Sequence, residues 1–405
     1  MNAYFNKLGR NVRQRWSKEN FSLETFSAIA CAALAELPPA KRVNLPALLR
    51  EFLLNDEQPE QTTSPFGEPE LIVYAHRLFQ IQLLFWLDGS TAIHQHAFSG
   101  AFHVLDGSSI HTSCEFAGER AVTPHFSLGE LKVKKIEFLE SGRTMPITSG
   151  SRCIHSLFHL ESPSVTIVIR TNHDPGTDPQ FSYLPPHVAH DPFITDRLAA
   201  RRNQVLNVLH RANDGSCLPR ILEMIEVLDF ERGFLILLEC VDHLRLPGNW
   251  DRTMKAFRNR HGKLAAGVEA TLKETVRRKV ILDLRGSTTE PEHRLFLALL
   301  ANVPARADLF TLVAERFPKK PAIDTVLGWA KELTEVSDSE IKILDATFPA
   351  ELAIGAEALI TALACFMTGK VASPGLTVSA AKQKQVRSIF AASSLGILLA
   401  PSARR

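Results

Sequence analysis

The pattern of apolar residues changes once along this chain of 405 residues, and that change constrains the fold more than any other feature. Between about residues 70 and 171, short β-type runs alternate with turn signals. After about residue 194, apolar residues recur instead at three- and four-residue intervals, which predicts helices. Several short strands at such spacing are typical of a sandwich or barrel. The sequence therefore predicts an α+β protein with a β-barrel followed by a separate all-helical domain.

Individual elements of the β-rich part can be predicted from alternation and turn residues. In chain order they are one or two strands from residue 70 to a turn at Asp88-Gly89, a strand over TAIHQH (91–96), a hairpin over 100–116 that turns at Asp106-Gly107, a strand over 131–140, a turn over 144–150, a strand over 164–171, and an ordered loop or linker over 172–193.

Helices are predicted on both sides of the barrel. The segment FSLETFSAIACAALAEL (21–37) predicts a helix that is capped by Ser22. Later apolar repeats predict further helices, the last of them over 337–348. We therefore expect an N-terminal helical cap over 1–65, a β-barrel with a metal site over 66–193, and a helical domain over 194–405.

Composition excludes several classes of protein. Hydrophobic residues make up 45% and charged residues 22% of the chain, with a formal charge of +2, which is ordinary for a globular protein. The sequence contains no run of 18 apolar residues, so no membrane span is predicted, and no secretory signal is evident. The six cysteines form no CxxC pair. We expect a cytoplasmic protein without a nucleic-acid partner, in which the basic residues over 252–285 form a solvated helical face.

Histidines are concentrated in the β-rich part, where 11 of the 15 lie between His76 and His190. His94 and His96 are one residue apart in the predicted strand over 91–96, so their side chains point to the same face. Two neutral imidazoles in an apolar setting each need a polar partner, and a metal ion supplies one. The alternative is a pair of exposed or hydrogen-bonded histidines on a barrel rim.

The order of residues around this pair resembles the cupin superfamily. The motifs that carry the resemblance are the HxH pair with Gly100 and Gly107 downstream, and a second motif with Pro146, Gly150 and His155. The resemblance implies a jelly-roll barrel in which His94, His96 and His155 hold one metal ion. Cupins usually carry a glutamate ligand where this chain has Gly100, so a site of three histidines is expected.

Within that superfamily, residues 71–171 are most similar to the cysteine dioxygenase (thiol dioxygenase) group. The segments LLFWLDGSTAIHQHAFSGAFHVLDGS and ITSGSRCIHSLFHLESPSVTIVIRT carry this similarity. It implies a mononuclear non-heme Fe(II) site that uses O2 as co-substrate. Three neutral imidazoles suit ferrous iron and leave positions for O2 and a bidentate substrate. In HSLFH, His159 is the alternative to His155 as third ligand.

The similarity also implies substrate-binding residues. Tyr74 matches a tyrosine of the group, and His76 or Arg77 takes the place of the arginine that binds the substrate carboxylate. Tyr183 is the candidate for a further tyrosine of the group at the end of the barrel.

Other polar residues of the β-rich part are assigned from the residues themselves. His103 and His159 are predicted to orient the ligating histidines. Cys153 either lines the cavity or is a small buried apolar side chain. His111 and His125 are predicted to lie on the surface, and the spacing of His187 and His190 is compatible with a metal ligand pair or with a loop of no such role.

Three functions remain open at this point. The first is an iron-dependent dioxygenase acting on a thiol or other small bidentate substrate, free or bound to a peptide or carrier. The second is a non-redox isomerase or hydrolase with zinc or manganese, in which Tyr74 and His103 would serve as acid and base. The third is a ligand-sensing cupin without catalysis. In each case the helical domain could cover the barrel, form a homodimer or bind a protein partner.

Overall fold

The computed structural model describes residues 2–62, 66–87, 91–194, 196–246, 248–335, 356–368 and 380–399. The chain divides into two compact units, one formed by residues 1–204 with 230–232 and the other by residues 205–229 with 233–405. The predicted turn at Asp88-Gly89 and the predicted helix over 337–348 lie outside the described residues. The proposed boundaries at residues 65 and 193 stay a prediction.

The β-rich part of the first unit consists of antiparallel strands. They are β1 (Glu70–His76), β2 (Phe79–Trp86), β3 (Ile93–His96), β4 (Gly100–Asp106), β5 (Ser108–Thr123), β6 (Phe126–Glu140), β7 (Thr144–Ile147), β8 (Gly150–His159), β9 (Ser164–Thr171), β10 (Ser182–Leu184) and β11 (Val188–His190).

These strands form two sheets, as in a jelly roll. One sheet has the order β1-β2-β9-β4-β7, and the other has the order β10-β11-β6-β5-β8-β3. The second closes on itself because β3 pairs with β8 on one side and with β10 on the other. A β-barrel with N-terminal helices and a helical C-terminal region is thus present, which confirms the predicted fold class.

Three N-terminal helices cover the outer face of the five-stranded sheet. They are α1 (Asn2–Lys18), α2 (Leu23–Glu36) and α3 (Leu45–Leu54). Alternate residues of β2 and β9, such as Ile81 and Ile167, pack against this helical layer. Their neighbours, such as Leu84 and Val168, point inward and pack on residues of the second sheet. Strands that are buried on both faces explain the nearly continuous apolar runs of the sequence.

Several local predictions were wrong because strand pairing depends on residues distant in sequence. The expected hairpin over 100–116 does not form, since β4 pairs with β7 and β9 whereas β5 pairs with β6 and β8. The chain instead changes sheets at Gly107, where φ is +81°. The expected turn over 144–150 contains β7, and the expected linker over 172–193 contributes β10 and β11 to the closed sheet. Ser22 precedes α2 as expected, but its side chain makes no capping hydrogen bond.

The second unit is helical, as the sequence predicts. Its helices are α4 (Arg197–Arg211), α5 (Cys217–Val227), α6 (Phe230–Glu239), α7 (Val241–Leu244), α8 (Asn249–His261), α9 (Ala265–Ser287), α10 (Pro291–Asn302), α11 (Arg306–Arg316), α12 (Ala322–Glu335), α13 (Ala356–Thr368) and α14 (Ala380–Ala392). The first residues of α4 and α6 belong to the first unit. Helices α10 and α12 are joined by the contact between the tilted rings of Phe296 and Trp329 and by a hydrogen bond between His293 Nε2 and Glu332 Oε2 at 2.7 Å. None of the described helices is both long and apolar enough to cross a membrane.

Candidate metal centre

Three histidines meet inside the barrel. His94 and His96 lie on β3, and His155 lies on the neighbouring strand β8, directly opposite His94 in the ladder. One ring nitrogen of each histidine lies within 4.8 Å of those of the other two, and all three residues are buried. Among the described residues no other set of three His, Cys, Asp or Glu side chains converges in this way. The paired strands thus place the three imidazoles around one point.

The hydrogen bonds of these rings suit a metal ion. His94 Nδ1 donates to the carbonyl oxygen of Ala92 at 2.7 Å, which leaves the lone pair on Nε2. That Nε2 atom is buried and has no hydrogen-bond partner among the described residues. His96 Nε2 and His155 Nε2 lie 2.8 Å apart. Two nitrogens that bind one metal at about 2.1 Å and at right angles are about 3 Å apart, so this spacing fits a shared ion.

The electrostatics of the cluster favour neutral rings. Burial lowers the pKa of His94, and it lowers the pKa values of His96 and His155 well below the ordinary value. Repulsion among the imidazoles, and from Arg170 toward His96, adds to this effect. Because a metal binds the neutral imidazole, the site holds its ligands in the required form at neutral pH.

The three rings face a cavity of about 270 Å³ that lies between the two sheets. Most of its wall is apolar, and the apolar lining residues are Phe66, Leu84, Trp86, Phe98, Phe102, Ile147, Leu157, Val168 and Phe193. The polar lining residues besides the histidines are Glu70, Gln82, Thr91, Thr166, Arg170 and Gln180. Such a cavity accommodates a small molecule with an apolar body and few polar groups.

Arg170 is the positively charged side chain that lines this cavity, and it was not among the site residues predicted from the sequence. It lies near the end of β9, and its guanidinium carbon is 3.9 Å from the centroid of the Phe98 ring. Its Nε and Nη2 atoms donate to the carbonyl oxygens of Thr171 and Asn172 at 3.1 and 2.8 Å. Burial lowers its pKa, while Glu70 and Asp174 partly oppose this shift. Within the described part of the chain no carboxylate lies within 4.0 Å of its guanidinium.

Gly100 accounts for the absence of a fourth ligand from β4. A Cβ atom at this position would lie 2.0 Å from the carbonyl oxygen of Ile169 on β9. No side chain fits there without separating the two strands, so a glutamate could not be accommodated. The close approach of β4 and β9 therefore excludes a ligand side chain at this position.

The structure places Tyr74, His76 and Arg77 away from this cavity. The ladder between β1 and β2 shifts register between Ile72 and Tyr74, so Tyr74 turns onto the face that packs against the N-terminal helices. His76 follows on the same face, with its ring 5.2 Å from that of Phe79, and Arg77 is exposed. None of the three lines the cavity.

The residues predicted to orient the ligands also lie elsewhere. His103 points to the helical side of β4, opposite to Phe102, and its Nδ1 is 2.8 Å from Thr144 Oγ1. His159 stacks on Trp86 at 4.6 Å and bonds Ser164 Oγ at 2.6 Å, so it stands behind the cavity wall and outside the histidine group. Cys153 does not line the cavity, and burial raises the pKa of its thiol.

His111 approaches one of the ligands instead, and Glu137 lies behind it. His111 was expected on the surface, but it is buried, and its Nε2 atom lies 3.2 Å from His155 Nδ1. Its other ring nitrogen lies 3.6 Å from Glu137 Oε1. Because both contacts depend on the register between β5, β6 and β8, no local pattern in the sequence could have indicated them.

The remaining polar candidates have structural partners. Tyr183 lies on β10, and its hydroxyl donates to Gln95 Oε1 at 2.6 Å. His125 is half-exposed beside Asp191, at 3.1 Å. His187 Nδ1 donates to the carbonyl oxygen of Gly129 at 2.9 Å, and burial lowers the pKa of His190.

No family model matches this chain, and no curated protein matches it. Solved structures that match over part of it include a cupin-2 domain protein from Shewanella frigidimarina, with 14% identity over 33% of this chain and 96% of that chain at a TM-score of 0.20.

The polyketide cyclase RemF from Streptomyces resistomycificus matches with 15% identity over 31% of this chain and 72% of that chain, at a TM-score of 0.20. A hydroquinone 1,2-dioxygenase from Sphingomonas sp. TTNP3 matches with 11% identity over 26% of this chain and 67% of that chain, also at 0.20. The three matches each cover between 26% and 33% of this chain, and such low scores assign no activity. The barrel and its three histidines carry the functional argument that follows.

Proposed function

We propose that the protein is a mononuclear non-heme iron dioxygenase of the cupin type, with His94, His96 and His155 as metal ligands. The observation that carries this proposal is the convergence of three buried, neutral imidazoles on one cavity without a carboxylate ligand. Neutral nitrogen ligands on one side of a ferrous ion suit activation of O2 beside a coordinated substrate.

The residues of the chain define what the site can do with a substrate. The carbonyl oxygen of Ala92 fixes the tautomer of His94. The apolar wall, which includes Phe102 and Leu157, excludes water from the reacting groups. The substrate is small and bidentate, a thiol or a molecule with another donor group, and it can be free or attached to a peptide or carrier.

Arg170 supports an anionic end for that substrate. A guanidinium that is largely withdrawn from water and makes no close ion pair can receive an anion, even though Glu70 and Asp174 lie near enough to affect its pKa. It lies in the same cavity as the three histidines, so it can hold one end of a molecule whose other end reaches the metal. The role expected for Arg77 therefore falls to Arg170 in this proposal.

The acid and base envisaged for a non-redox enzyme, Tyr74 and His103, face the helical layer rather than the cavity. This arrangement favours the dioxygenase over an isomerase or hydrolase that depends on those two groups. A ligand-sensing role shares the cavity and differs in showing no turnover.

Oxygen consumption tests the proposal. The full chain is loaded with Fe(II) without air and then mixed with oxygenated buffer and a series of small thiols and hydroxy acids. We expect oxygen uptake with at least one compound, equal in amount to the compound consumed, and none with protein loaded with Zn(II). Tight binding of the compounds by the iron-loaded protein without oxygen uptake would contradict the proposal and support a sensing role.

A further inference from the structure

A row of polar side chains crosses four neighbouring strands of the closed sheet, from β6 through β5 and β8 to the metal centre on β3. Glu137 on β6 lies directly opposite His111 on β5, and His155 on β8 lies directly opposite His94 on β3. His111 pairs with Leu157, two residues from His155 on the same face of β8. The four residues therefore share the inner face of the sheet.

The donor and acceptor roles of the ring nitrogens in this row follow from its two ends, the metal ion and the Glu137 carboxylate. His94 and His155 are placed to bind the metal through Nε2, which requires the proton of His155 to be on Nδ1. His155 Nδ1 then donates to His111 Nε2, 3.2 Å away. Accepting that hydrogen bond requires the proton of His111 to be on its own Nδ1, which is buried and has no hydrogen-bond partner among the described residues.

Glu137 supplies the charge that this arrangement needs. Its Oε1 atom lies 3.6 Å from His111 Nδ1, which is longer than a direct hydrogen bond, so the carboxylate acts on the N–H through its charge. Burial raises the pKa of Glu137, but the ion pair with Lys135 at 2.8 Å and the neighbouring His111 together outweigh this and hold the pKa below its ordinary value. An ionised carboxylate can accept hydrogen bonds but cannot donate them. Glu137 therefore favours the arrangement in which the N–H groups of His155 and His111 both point away from the metal and toward the carboxylate.

We propose that Glu137, acting through His111, positions His155 and selects the tautomer in which its Nε2 lone pair faces the metal. This inference rests on the proposed function, since it assigns His155 as a ligand. His111 and Glu137 are positioning residues, because neither lines the cavity. Orientation of a ligating histidine in this way strengthens metal binding, and losing it typically costs 10- to 100-fold in affinity.

Metal affinity and tautomer are measured on the full chain with four variants. Titration with Co(II), followed by its visible absorption, gives the dissociation constant without any turnover. We expect a 10- to 100-fold weaker constant for His111→Leu, a smaller loss for Glu137→Gln, and partial recovery for His111→Gln, whose amide can accept from His155 and donate toward Glu137. Glu130→Gln, an exposed change on the same strand, should match the wild type.

Nitrogen-15 spectra of the metal-free histidines give a readout that a merely structural role would not change. His155 should carry its proton on Nδ1 in the wild type, and Glu137→Gln should shift its population toward the other tautomer. Equal Co(II) affinity and unchanged tautomers in His111→Leu and Glu137→Gln would overturn the inference while leaving the metal site intact. Failure of the wild type itself to bind Co(II) would instead overturn the proposed function.

Discussion

Gly100 and Ile169 lie so close across β4 and β9 that a Cβ atom on Gly100 would be 2.0 Å from the Ile169 carbonyl oxygen. This contact lies between the central strand of the five-stranded sheet, β9, and its neighbour β4. It also leaves no room for a side chain at this position, where the sequence resemblance to cupins had raised the question of a glutamate ligand. The absence of a fourth ligand is therefore a consequence of how the strands pack.

Replacement of Gly100 with alanine should destabilise the barrel. The added methyl group must push β9 away from β4, which we expect to cost about 2 kcal/mol or more in the free energy of unfolding. Gly215→Ala is the control, because a Cβ atom there meets nothing within 4 Å. Urea unfolding of both variants measures the difference, and equal stability of the two would show that the strands can separate freely.

Gly9 and Tyr74 provide a second test of packing. A Cβ atom on Gly9, in the middle of α1, would lie 2.4 Å from atoms of the Tyr74 ring. Alanine usually stabilises a helix relative to glycine by up to about 1 kcal/mol. Gly9→Ala should lower the midpoint of thermal unfolding instead, whereas Gly328→Ala in α12, where the space is open, should maintain or raise it. A stabilised Gly9→Ala variant would show that Tyr74 does not pack as described.

Acid should destabilise the barrel through His159. Burial lowers the pKa of His159 in the folded protein to about 3, whereas the unfolded chain has the ordinary value of 6.5. The unfolded state therefore binds one more proton between these values, so the stabilisation is complete above pH 6.5 and is lost as the pH falls. This residue alone should remove about 1.4 kcal/mol between about pH 7.5 and pH 5.5.

The variant His159→Leu isolates this effect. The dependence of its unfolding free energy on pH should be shallower than that of the wild type by about half a proton on average in this range, approaching one proton at its acidic end. Metal-free protein is used throughout, so that metal release does not contribute. An unchanged slope would mean that His159 is protonated in the folded state.

Arg170 should determine the affinity for acidic ligands. Removing a buried charge-assisted contact costs about 1.5–3 kcal/mol, which corresponds to roughly 10- to 150-fold in affinity. We expect Arg170→Met to weaken binding of small carboxylic acids by that factor, measured by calorimetry on metal-loaded protein. Arg77→Met, on the exposed turn after β1, should bind as the wild type does. The opposite pattern would restore the role that the sequence resemblance gave to Arg77.

The sequence predicted those features that depend on local patterns. Alternation and turn residues indicated most strands, and the spacing of His94 and His96 placed both on one face, where both do line the cavity. The motif around Gly150 indicated His155 as their neighbour, and the two strands do pair there. These predictions required only the period of a strand and a family pattern.

The remaining features depend on which strands pair and in what register. His111 and Glu137 meet the metal centre through β5 and β6, and Arg170 reaches it from β9, none of which a local pattern specifies. A register shift within β1 also turned Tyr74 away from the cavity. A shift of one residue moves every following side chain of a strand to its opposite face. Tyr74, which the resemblance placed at the substrate, therefore lies on the helical side of the sheet.

The most direct test of the account is the metal content of protein purified without air. We expect about one equivalent of iron per chain in the wild type, and none in His94→Ala or His155→Ala after iron is offered again. The control is His103→Ala, whose side chain faces the helical layer, and it should retain the metal. Absence of metal from the wild type, or full iron content in His94→Ala, would contradict the assignment of these three histidines as a metal site.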